Sequence, residues 1–244
     1  SLKIKKILCV HQGYELYGSD RSFALSVEIL RKTYSDAIID IIIPKNGEIE
    51  TILRPICNNL IINKNLAILR KKEFRNNPFK LIYKIFKGIY DAFNNSKKYD
   101  IFYINTIVVL DYIIASRFTS TTNVLHIREI PNGIQQNIFS KILSFSKMKL
   151  IFNSNNTSNS YSLPNKQKKT ILLNGVKGFP YSIKNIINKT INILIIGRLT
   201  EWKGQMFFLK TIDKLPAQKK NIVKVRIIGD VFEDQLGYKN KLFQ

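Results

Sequence analysis

Cysteine is scarce in this chain of 244 residues, which contains only Cys9 and Cys57. Two cysteines cannot build a disulfide framework, and Cys9 lies inside an apolar run, so we predict two buried thiols in a reducing cytoplasm. No apolar run approaches the length that a membrane-spanning helix needs. The N-terminus is polar and basic, without the apolar core of a signal peptide. These absences argue against a secreted disulfide-rich domain and an integral membrane protein, and they favour a cytoplasmic location.

Acidic residues are also few: 17 Asp and Glu stand against 39 Lys and Arg, which gives a formal net charge of +22. Such an excess attracts polyanions, meaning nucleic acid, an anionic membrane or phosphorylated ligands. Heavy use of Lys, Asn and Ile, as an AT-rich coding sequence produces, explains the same excess through a solvated lysine surface. The charge leaves both explanations open.

Two common nucleotide-binding signatures are missing. The chain has neither a G-x-G-x-x-G fingerprint nor a G-x-x-x-x-G-K-[ST] loop, so a dehydrogenase or a P-loop enzyme has little support. Histidine occurs only at His11 and His126, and neither has the spacing of metal ligands. We therefore expect no zinc site.

The chain does contain a regular alternation of apolar, β-branched runs with helical patterns. This alternation predicts an α/β fold, with a Rossmann-like parallel sheet and helices on both faces. The stretch Gly175–Lys189 breaks the pattern and is interpreted as a linker, so we predict an N-terminal domain over residues 1–180 and an incomplete second Rossmann-like domain over residues 188–244. The predicted strands of the first domain are Lys5–Val10, Ile38–Ile43, Leu60–Ile62, Ile101–Ile104, Asn123–Ile127, Leu150–Phe152 and Thr170–Leu173, and the predicted helices are Asp20–Arg31, Phe79–Phe93, Val108–Arg117, Gln135–Ser146 and Asn156–Ser162.

The first predicted strand is followed by a loop that opens onto the N-terminus of a helix. Free backbone N–H groups and the helix dipole favour an anion at such a place. Gly18 and Ser19 allow a phosphate or a sugar to approach the backbone there. Ser19 or Asp20 acting only as a helix cap explains the same residues, and the pattern leaves both interpretations open.

Both histidines follow apolar runs and fall at predicted strand ends, on the same edge of the sheet. The carboxyl ends of parallel strands line the ligand crevice of such a sheet, which makes His126 a candidate functional group. A single histidine more often satisfies a structural hydrogen bond, so the pattern does not decide the role of His126.

Two basic residues follow the apolar run Ile191–Ile196, ahead of a helical pattern and a second run, Val223–Ile228. Arg198 offers a bidentate fork and Lys203 a point charge, a pair that suits the two phosphates of a nucleoside diphosphate. There they would offset the negative charge that develops on a departing diphosphate. The alternative is two exposed basic residues in a basic protein.

In combination, these segments resemble family 4 of the glycosyltransferases, which have the two-domain GT-B fold. The second domain of that family opens with a strand and G-R-L-x-x-x-K-G, which stands here as Gly197–Gly204, and its next strand ends in G-D, like residues 229–230. The family's N-terminal G-G-A-E-R-x loop is similar to Gly18–Ser22, and its N-G-V turn is similar to Asn174–Val176. The match is collinear over nearly the whole chain.

The resemblance implies transfer of a sugar from a nucleotide-diphosphate sugar, with retention of anomeric configuration, no cofactor and no required metal ion. The acceptor would be a saccharide or a lipid-linked molecule in cell-surface polysaccharide or lipopolysaccharide synthesis. By resemblance, Arg198 and Lys203 contact the donor diphosphate, and Gly18 and Ser19 lie near the donor phosphate and sugar. His126 corresponds to a catalytic-site histidine that touches the transferred sugar.

One element of the family, the E-x7-E segment that binds donor sugar and ribose, would fall beyond Gln244. We therefore expect these 244 residues to bind donor poorly and to transfer little or no sugar. The net charge fits a lipid-linked acceptor at an anionic membrane, with the segment Phe79–Phe93 at its surface.

Two competing hypotheses remain from the sequence. One is a basic α/β protein that binds nucleic acid, although no helix-turn-helix, zinc-finger or RNA-binding signature is recognisable and no specific nucleic-acid partner is expected. The other is a non-catalytic remnant of a transferase that binds a sugar or a nucleotide.

Overall fold

A computed structural model of the protein describes residues 4–69, 78–175, 178, 190–231 and 236–243. The chain divides into two compact units, Ser1–Lys177 and Gly178–Gln244. Each unit has a parallel sheet of its own. Most of the predicted linker Gly175–Lys189 lies outside the described residues, and the predicted domain limits stay a prediction.

The first unit is built on seven parallel strands in the order β3-β2-β1-β4-β5-β6-β7. The order runs outward from β1 in both directions, so the chain changes direction across the sheet between β1 and β4. This arrangement confirms the predicted Rossmann-like parallel sheet. The strands are β1 Lys6–His11, β2 Ile38–Ile43, β3 Asn59–Ile62, β4 Ile101–Asn105, β5 Thr122–Ile127, β6 Lys149–Phe152 and β7 Lys169–Ile171.

Helices connect these strands, as the alternation of patterns predicts. The predicted helix Val108–Arg117 is shorter in the structure, where an α-helical part is followed by the 3₁₀ turn Ser116–Phe118. A second 3₁₀ turn, Arg54–Ile56, follows the short helix α2. The helices of this unit are α1 Gly18–Thr33, α2 Glu50–Leu53, α3 Pro78–Ser96, α4 Leu110–Ala115, α5 Ile134–Phe145 and α6 Asn155–Asn159.

Successive residues of a strand point to opposite faces, and β1 shows how this divides the core. Leu8 and Val10 join a buried cluster that includes side chains of α3, α4 and α5. Ile7 and Cys9 join a second cluster on the other face, with side chains of α1. Helices therefore cover both faces of the sheet, and the next residue of β1, His11, lies on the α1 face.

The two cysteines differ in burial. Cys9 is fully buried in β1, and burial raises the pKa of its thiol. Cys57 is only half-buried, so the prediction of a buried thiol is wrong for it. It precedes β3, an outer strand of the sheet, where fewer neighbours cover a side chain.

The second unit contains the two-stranded parallel sheet of β8 Ile191–Ile196 and β9 Val223–Ile228. In its described part, the buried residues are Leu199, Thr200 and Gln205, and neither strand has a buried side chain. Considering only what the structure describes, no helix in either unit is long and apolar enough to cross a membrane. The helices of this unit are α7 Gln205–Asp213, α8 Ala217–Lys220 and α9 Leu236–Leu242, and the 3₁₀ turn Glu201–Lys203 precedes α7.

Candidate functional site

A row of polar side chains crosses three neighbouring strands of the first unit at their carboxyl ends. His11 of β1 pairs in register with Asn105 of β4, which pairs with His126 of β5. Register partners in a parallel sheet share a face, so all three side chains lie on the α1 face. The row begins where the strand order changes direction, which is where open α/β sheets bind ligands. All three residues are buried.

Hydrogen bonds extend this row in both directions. On one side, His11 Nε2 lies 2.7 Å from Asp20 Oδ1 in α1, and His11 Nδ1 lies 3.0 Å from Asn105 Nδ2. On the other side, Arg128 Nε donates to Asn105 Oδ1 over 3.2 Å, and Arg128 lies 3.2 Å from His126 Nδ1. A continuous polar network therefore connects the start of α1 to His126.

The network determines where its protons lie. A guanidinium only donates, so Asn105 accepts from Arg128 through Oδ1 and donates to His11 through Nδ2. Nδ1 of His11 is then unprotonated, and Nε2–H donates to the carboxylate of Asp20. Burial lowers the pKa of His11 and outweighs the hydrogen bond and the charge of Asp20, which raise it. Burial alone would raise the pKa of Asp20, but hydrogen bonds from His11 and the Tyr17 N–H hold it below its ordinary value.

His126 carries a buried donor without a partner. Its Nδ1 faces the guanidinium of Arg128 and lies 2.8 Å from the hydroxyl of Tyr103, so the proton of the neutral ring is on Nε2. Nε2 is buried, and within the described residues it has no hydrogen-bond partner. Burial, followed by the charge of Arg128, lowers the pKa of His126 to about 4. Buried polar groups are nearly always paired, so the unpaired N–H at this edge of the sheet is a candidate contact for a ligand acceptor.

Arg128 also connects this edge of the sheet to the segment after β7, because its guanidinium donates to the side-chain oxygen of Asn174. Thr106, directly after β4, adopts φ 82°, which is unusual for a residue other than glycine. Its backbone N–H donates to the carbonyl of His126 over 2.9 Å, and its hydroxyl is buried without a partner in the described structure. Strained backbone of this kind is often found at functional sites.

Gly13 allows the loop after β1 to lie directly over the hydrogen bond between His11 and Asp20. A Cβ atom at this residue would lie 1.9 Å from Asp20 Oδ1 and 2.6 Å from His11 Nε2. A side chain at residue 13 would therefore displace one of the two groups. Neighbouring loops pack as closely, since a Cβ atom at Gly47 would lie 1.9 Å from the carbonyl oxygen of Tyr14.

The predicted residues Gly18 and Ser19 are the first two residues of α1, and both are exposed. The N-cap residue of α1 is Tyr17 and not Ser19 or Asp20, but Asp20 contributes to the cap from the first turn, where its Oδ2 accepts from the Tyr17 N–H over 2.8 Å. The same carboxylate also binds His11, so capping is not its whole role. The ligand role of Gly18 and Ser19 stays a prediction.

The second unit holds the predicted diphosphate residues near the carboxyl end of β8. Arg198 is half-buried and Lys203 is exposed, with its ammonium 4.3 Å from the centre of the Trp202 ring. Gly204 adopts φ 77° at the start of α7, a conformation that glycine tolerates best. The loop therefore carries two cations next to a helix N-terminus, and their role stays a prediction. The part of the chain that the structure describes has no group of three or more metal-ligating side chains.

Tyr103, Asn105 and Arg128 belong to the network but were not predicted from the sequence as site residues. Arg128 follows β5, whereas Tyr103 and Asn105 belong to β4, whose residues Ile101–Asn105 look like an ordinary buried strand. A polar residue that ends an apolar strand is the available signal, and Asn105 has it as His11 does. Tyr103 gives no such signal, because tyrosine is common inside strands.

No protein-family model matches the sequence, and no curated protein matches it significantly. Solved structures do match. A structure of HepE from Anabaena, in complex with UDP and glucose, has a TM-score of 0.69 and 17% identity, and the match covers 99% of this chain and 65% of that one. The lipopolysaccharide outer core galactosyltransferase WaaB matches with a TM-score of 0.58 and 11% identity, over 98% of this chain and 65% of its own.

The chain therefore shares its fold with HepE and WaaB. A putative UDP-N-acetylglucosamine 2-epimerase from Listeria monocytogenes also matches, with a TM-score of 0.58, 9% identity and coverage of 98% of this chain and 66% of its own. Identities at this level show the fold alone. The match also spans only 65% of the length of HepE.

Proposed function

We propose that the chain forms part of a glycosyltransferase that moves a sugar from a nucleoside-diphosphate donor to a saccharide or lipid-linked acceptor. The observation that carries this proposal is the unpaired, buried Nε2–H of His126 at the carboxyl ends of the strands. A sugar hydroxyl is a neutral acceptor that can pair with it. The fold supports the same assignment, since HepE has a similar fold and holds UDP and glucose.

His126 acts in this proposal as a hydrogen-bond donor to the sugar and not as an acid. Its pKa of about 4 keeps the ring neutral near pH 7, so the ring carries no acidic proton to transfer to the substrate. Arg128 and Tyr103 hold the ring through Nδ1, which fixes the direction of Nε2–H. The site is thus prepared before the sugar arrives.

Arg198 and Lys203 take the diphosphate in this proposal. Arginine forks and lysine ammonium groups bind phosphate oxygens strongly, and the start of α7 adds backbone N–H groups. Gly18 and Ser19 present the start of α1 in the same way within the first unit. Retention of configuration, independence of metal and the nature of the acceptor rest on the resemblance to family 4.

The second candidate is epimerisation of a nucleoside-diphosphate sugar, which the match to the putative 2-epimerase favours. Both activities need a nucleotide and a sugar in the same kind of site. The products differ, because an epimerase returns a nucleotide sugar with one inverted carbon centre, whereas a transferase releases free UDP. NMR spectroscopy of UDP-glucose and UDP-N-acetylglucosamine incubated with the chain distinguishes the two.

Nucleotide binding can be tested first, by calorimetry with UDP. We expect the variant Arg198→Ala/Lys203→Ala to bind UDP at least about tenfold more weakly, because it removes two charge-assisted contacts. Lys214→Ala/Lys219→Ala is the matched control, since it removes the same charge from exposed lysines of the same unit. An equal loss in the control would mean non-specific attraction by a basic protein and would contradict the proposed diphosphate site.

The sugar contact has its own test. We expect His126→Phe to leave affinity for UDP unchanged and to remove the additional affinity that the sugar of a UDP-sugar provides. Chemical shifts of residues in β4 and β5 show whether the variant keeps the fold. If His126→Phe binds UDP-sugar and UDP as the wild type does, the role of His126 is structural.

A further inference from the structure

Helix α3 exposes an apolar stripe, formed by Phe79, Ile82, Tyr83, Phe86, Tyr90 and Phe93. Phe79 is 82% exposed and Phe86 is 70% exposed, so most of the surface of each residue faces solvent. The spacing of three and four residues places all six on one side of the helix. An exposed apolar stripe of this length indicates an interaction site.

The opposite side of α3 packs onto the first unit. Leu81 and Ala92 are buried, and Gly88 lies so close to α4 that a Cβ atom there would be 2.4 Å from Asp111 Oδ2. Because this face is fixed by its packing, α3 cannot rotate to hide the apolar stripe. The helix therefore has two apolar faces, of which the described residues cover one.

Positive charge accompanies the stripe. At about 100° per residue, the stripe fills an arc of roughly 100°, and Lys80, Lys84 and Lys87 lie on one flank of it. Lys97 and Lys98 follow the end of the helix, with the Lys97 ammonium 5.1 Å from the centre of the Phe93 ring. The one acidic residue of α3 is Asp91, so the flank remains cationic.

We propose that the apolar stripe of α3 docks the protein on the surface of an anionic lipid bilayer. Aromatic side chains insert at the boundary between headgroups and acyl chains, and flanking lysines meet the negative headgroups. A second copy of this chain fits less well, because two such faces would bring lysines of both copies together. The proposal does not depend on sugar transfer, since docking needs no donor.

Co-sedimentation with vesicles tests the surface on the whole chain. We expect binding to vesicles that contain phosphatidylglycerol at low salt, and much weaker binding to vesicles of phosphatidylcholine alone. Phe79→Ser/Phe86→Ser should lose most of this binding. Ile134→Ser/Phe207→Ser is the control, because it removes two other side chains that are at least 77% exposed. Equal binding by both variants and the wild type would overturn the proposal.

The cationic flank is tested separately. Lys87→Glu/Lys98→Glu should weaken binding to anionic vesicles roughly tenfold or more, because each basic residue near such a surface contributes to affinity. Lys141→Glu/Lys166→Glu, on the exposed surface elsewhere in the unit, makes the same charge change and should have a smaller effect. If both pairs weaken binding equally, overall charge holds the protein on the vesicle and the stripe proposal is wrong.

A fluorescent probe reports on the depth of the stripe. In a Trp202→Phe background, the tryptophan emission of Tyr83→Trp should shift to the blue when anionic vesicles are added, whereas that of Ile134→Trp should not.

Sedimentation velocity without lipid tests the alternative, in which the stripe binds a second copy of this chain. If Phe79→Ser/Phe86→Ser converts a dimer to a monomer and leaves vesicle binding unchanged, the stripe joins two copies and does not bind a membrane.

Discussion

At the scale of single residues, the geometry of the site depends on Arg128. Its guanidinium only donates, so it keeps Asn105 Oδ1 and His126 Nδ1 as acceptors and leaves Nε2–H of His126 pointing away from the network. The same charge, added to burial, disfavours protonation of the ring. One side chain thereby sets both the orientation and the charge state of the proposed sugar contact.

The pH titration of His126, followed by NMR of its ring, should therefore have a midpoint near 4. Arg128→Gln should raise that midpoint toward the ordinary value of about 6.5, because it removes the nearby positive charge. Burial, the larger cause, remains in the variant, so we expect only a partial return. A wild-type midpoint above 6 would contradict the assigned network.

The lowered pKa also makes the stability of the fold depend on pH. Between about pH 6.5 and about pH 4, the unfolded chain binds more protons at His126 than the folded one does, so the free energy of unfolding falls as the pH falls through this window. The shift corresponds to a loss of up to about 3 kcal/mol. Urea denaturation at pH 7 and pH 4.5 measures it, and His126→Gln should have the smaller difference between the two.

Gly13 should tolerate no side chain. We expect Gly13→Ala to lower the free energy of unfolding by about 2 kcal/mol or more, because its Cβ would occupy the space of the bond between Asp20 and His11. Gly18→Ala is the control: a Cβ at Gly18 meets nothing within 4 Å, so its stability should change little. Equal stability of the two variants in urea would show that the loop moves aside without cost.

At the scale of helices and strands, the first unit was largely predictable. The run Ile38–Ile43 is a strand with the predicted bounds, because a continuous β-branched run suits a strand that is buried on both faces. The ends were less certain: β1 runs one residue further than predicted, to His11, and α1 begins at Gly18 and not at Asp20. Helix ends depend on local hydrogen bonds, such as the one from the Tyr17 N–H to Asp20, that periodicity does not contain.

The candidate site was only partly predictable for a different reason. Strand ends and loops can be located from apolar runs, which is how His126 was found. The partners of His126 come from elsewhere in the chain, however, and Tyr103 lies 23 residues before it. Their contact depends on the register of β4 against β5, which a single sequence does not specify.

The contact between α3 and α4 should depend on Gly88. We expect Gly88→Ala to destabilise the first unit by about 1–3 kcal/mol, because the added Cβ would meet the side chain of Asp111 and push the two helices apart. Gly237→Ala, also within a helix, is the control, since its Cβ would meet nothing within 4 Å. Thermal unfolding followed by circular dichroism compares the two, and unchanged unfolding of Gly88→Ala would mean that this packing is adaptable.

At the scale of the whole molecule, the two units differ in how much core each has. The first holds two buried clusters, one on each face of a seven-stranded sheet. The described part of the second has a two-stranded sheet without a buried side chain in either strand. Since burial of apolar surface is the main stabilising contribution, we infer that the units differ in local stability.

Hydrogen exchange followed by mass spectrometry should show this difference directly. Amides of β1 and β4 should exchange only through global unfolding, whereas amides of β8 and β9 should exchange much faster, because an isolated pair of strands is marginally stable in water. Addition of UDP should slow exchange in β8 and β9 if Arg198 and Lys203 bind it, and the Arg198→Ala/Lys203→Ala variant should not show this effect. If the amides of β8 and β9 in the free protein exchange as slowly as those of β1, the inferred difference in stability is wrong. The comparison with Arg198→Ala/Lys203→Ala would still test the nucleotide site.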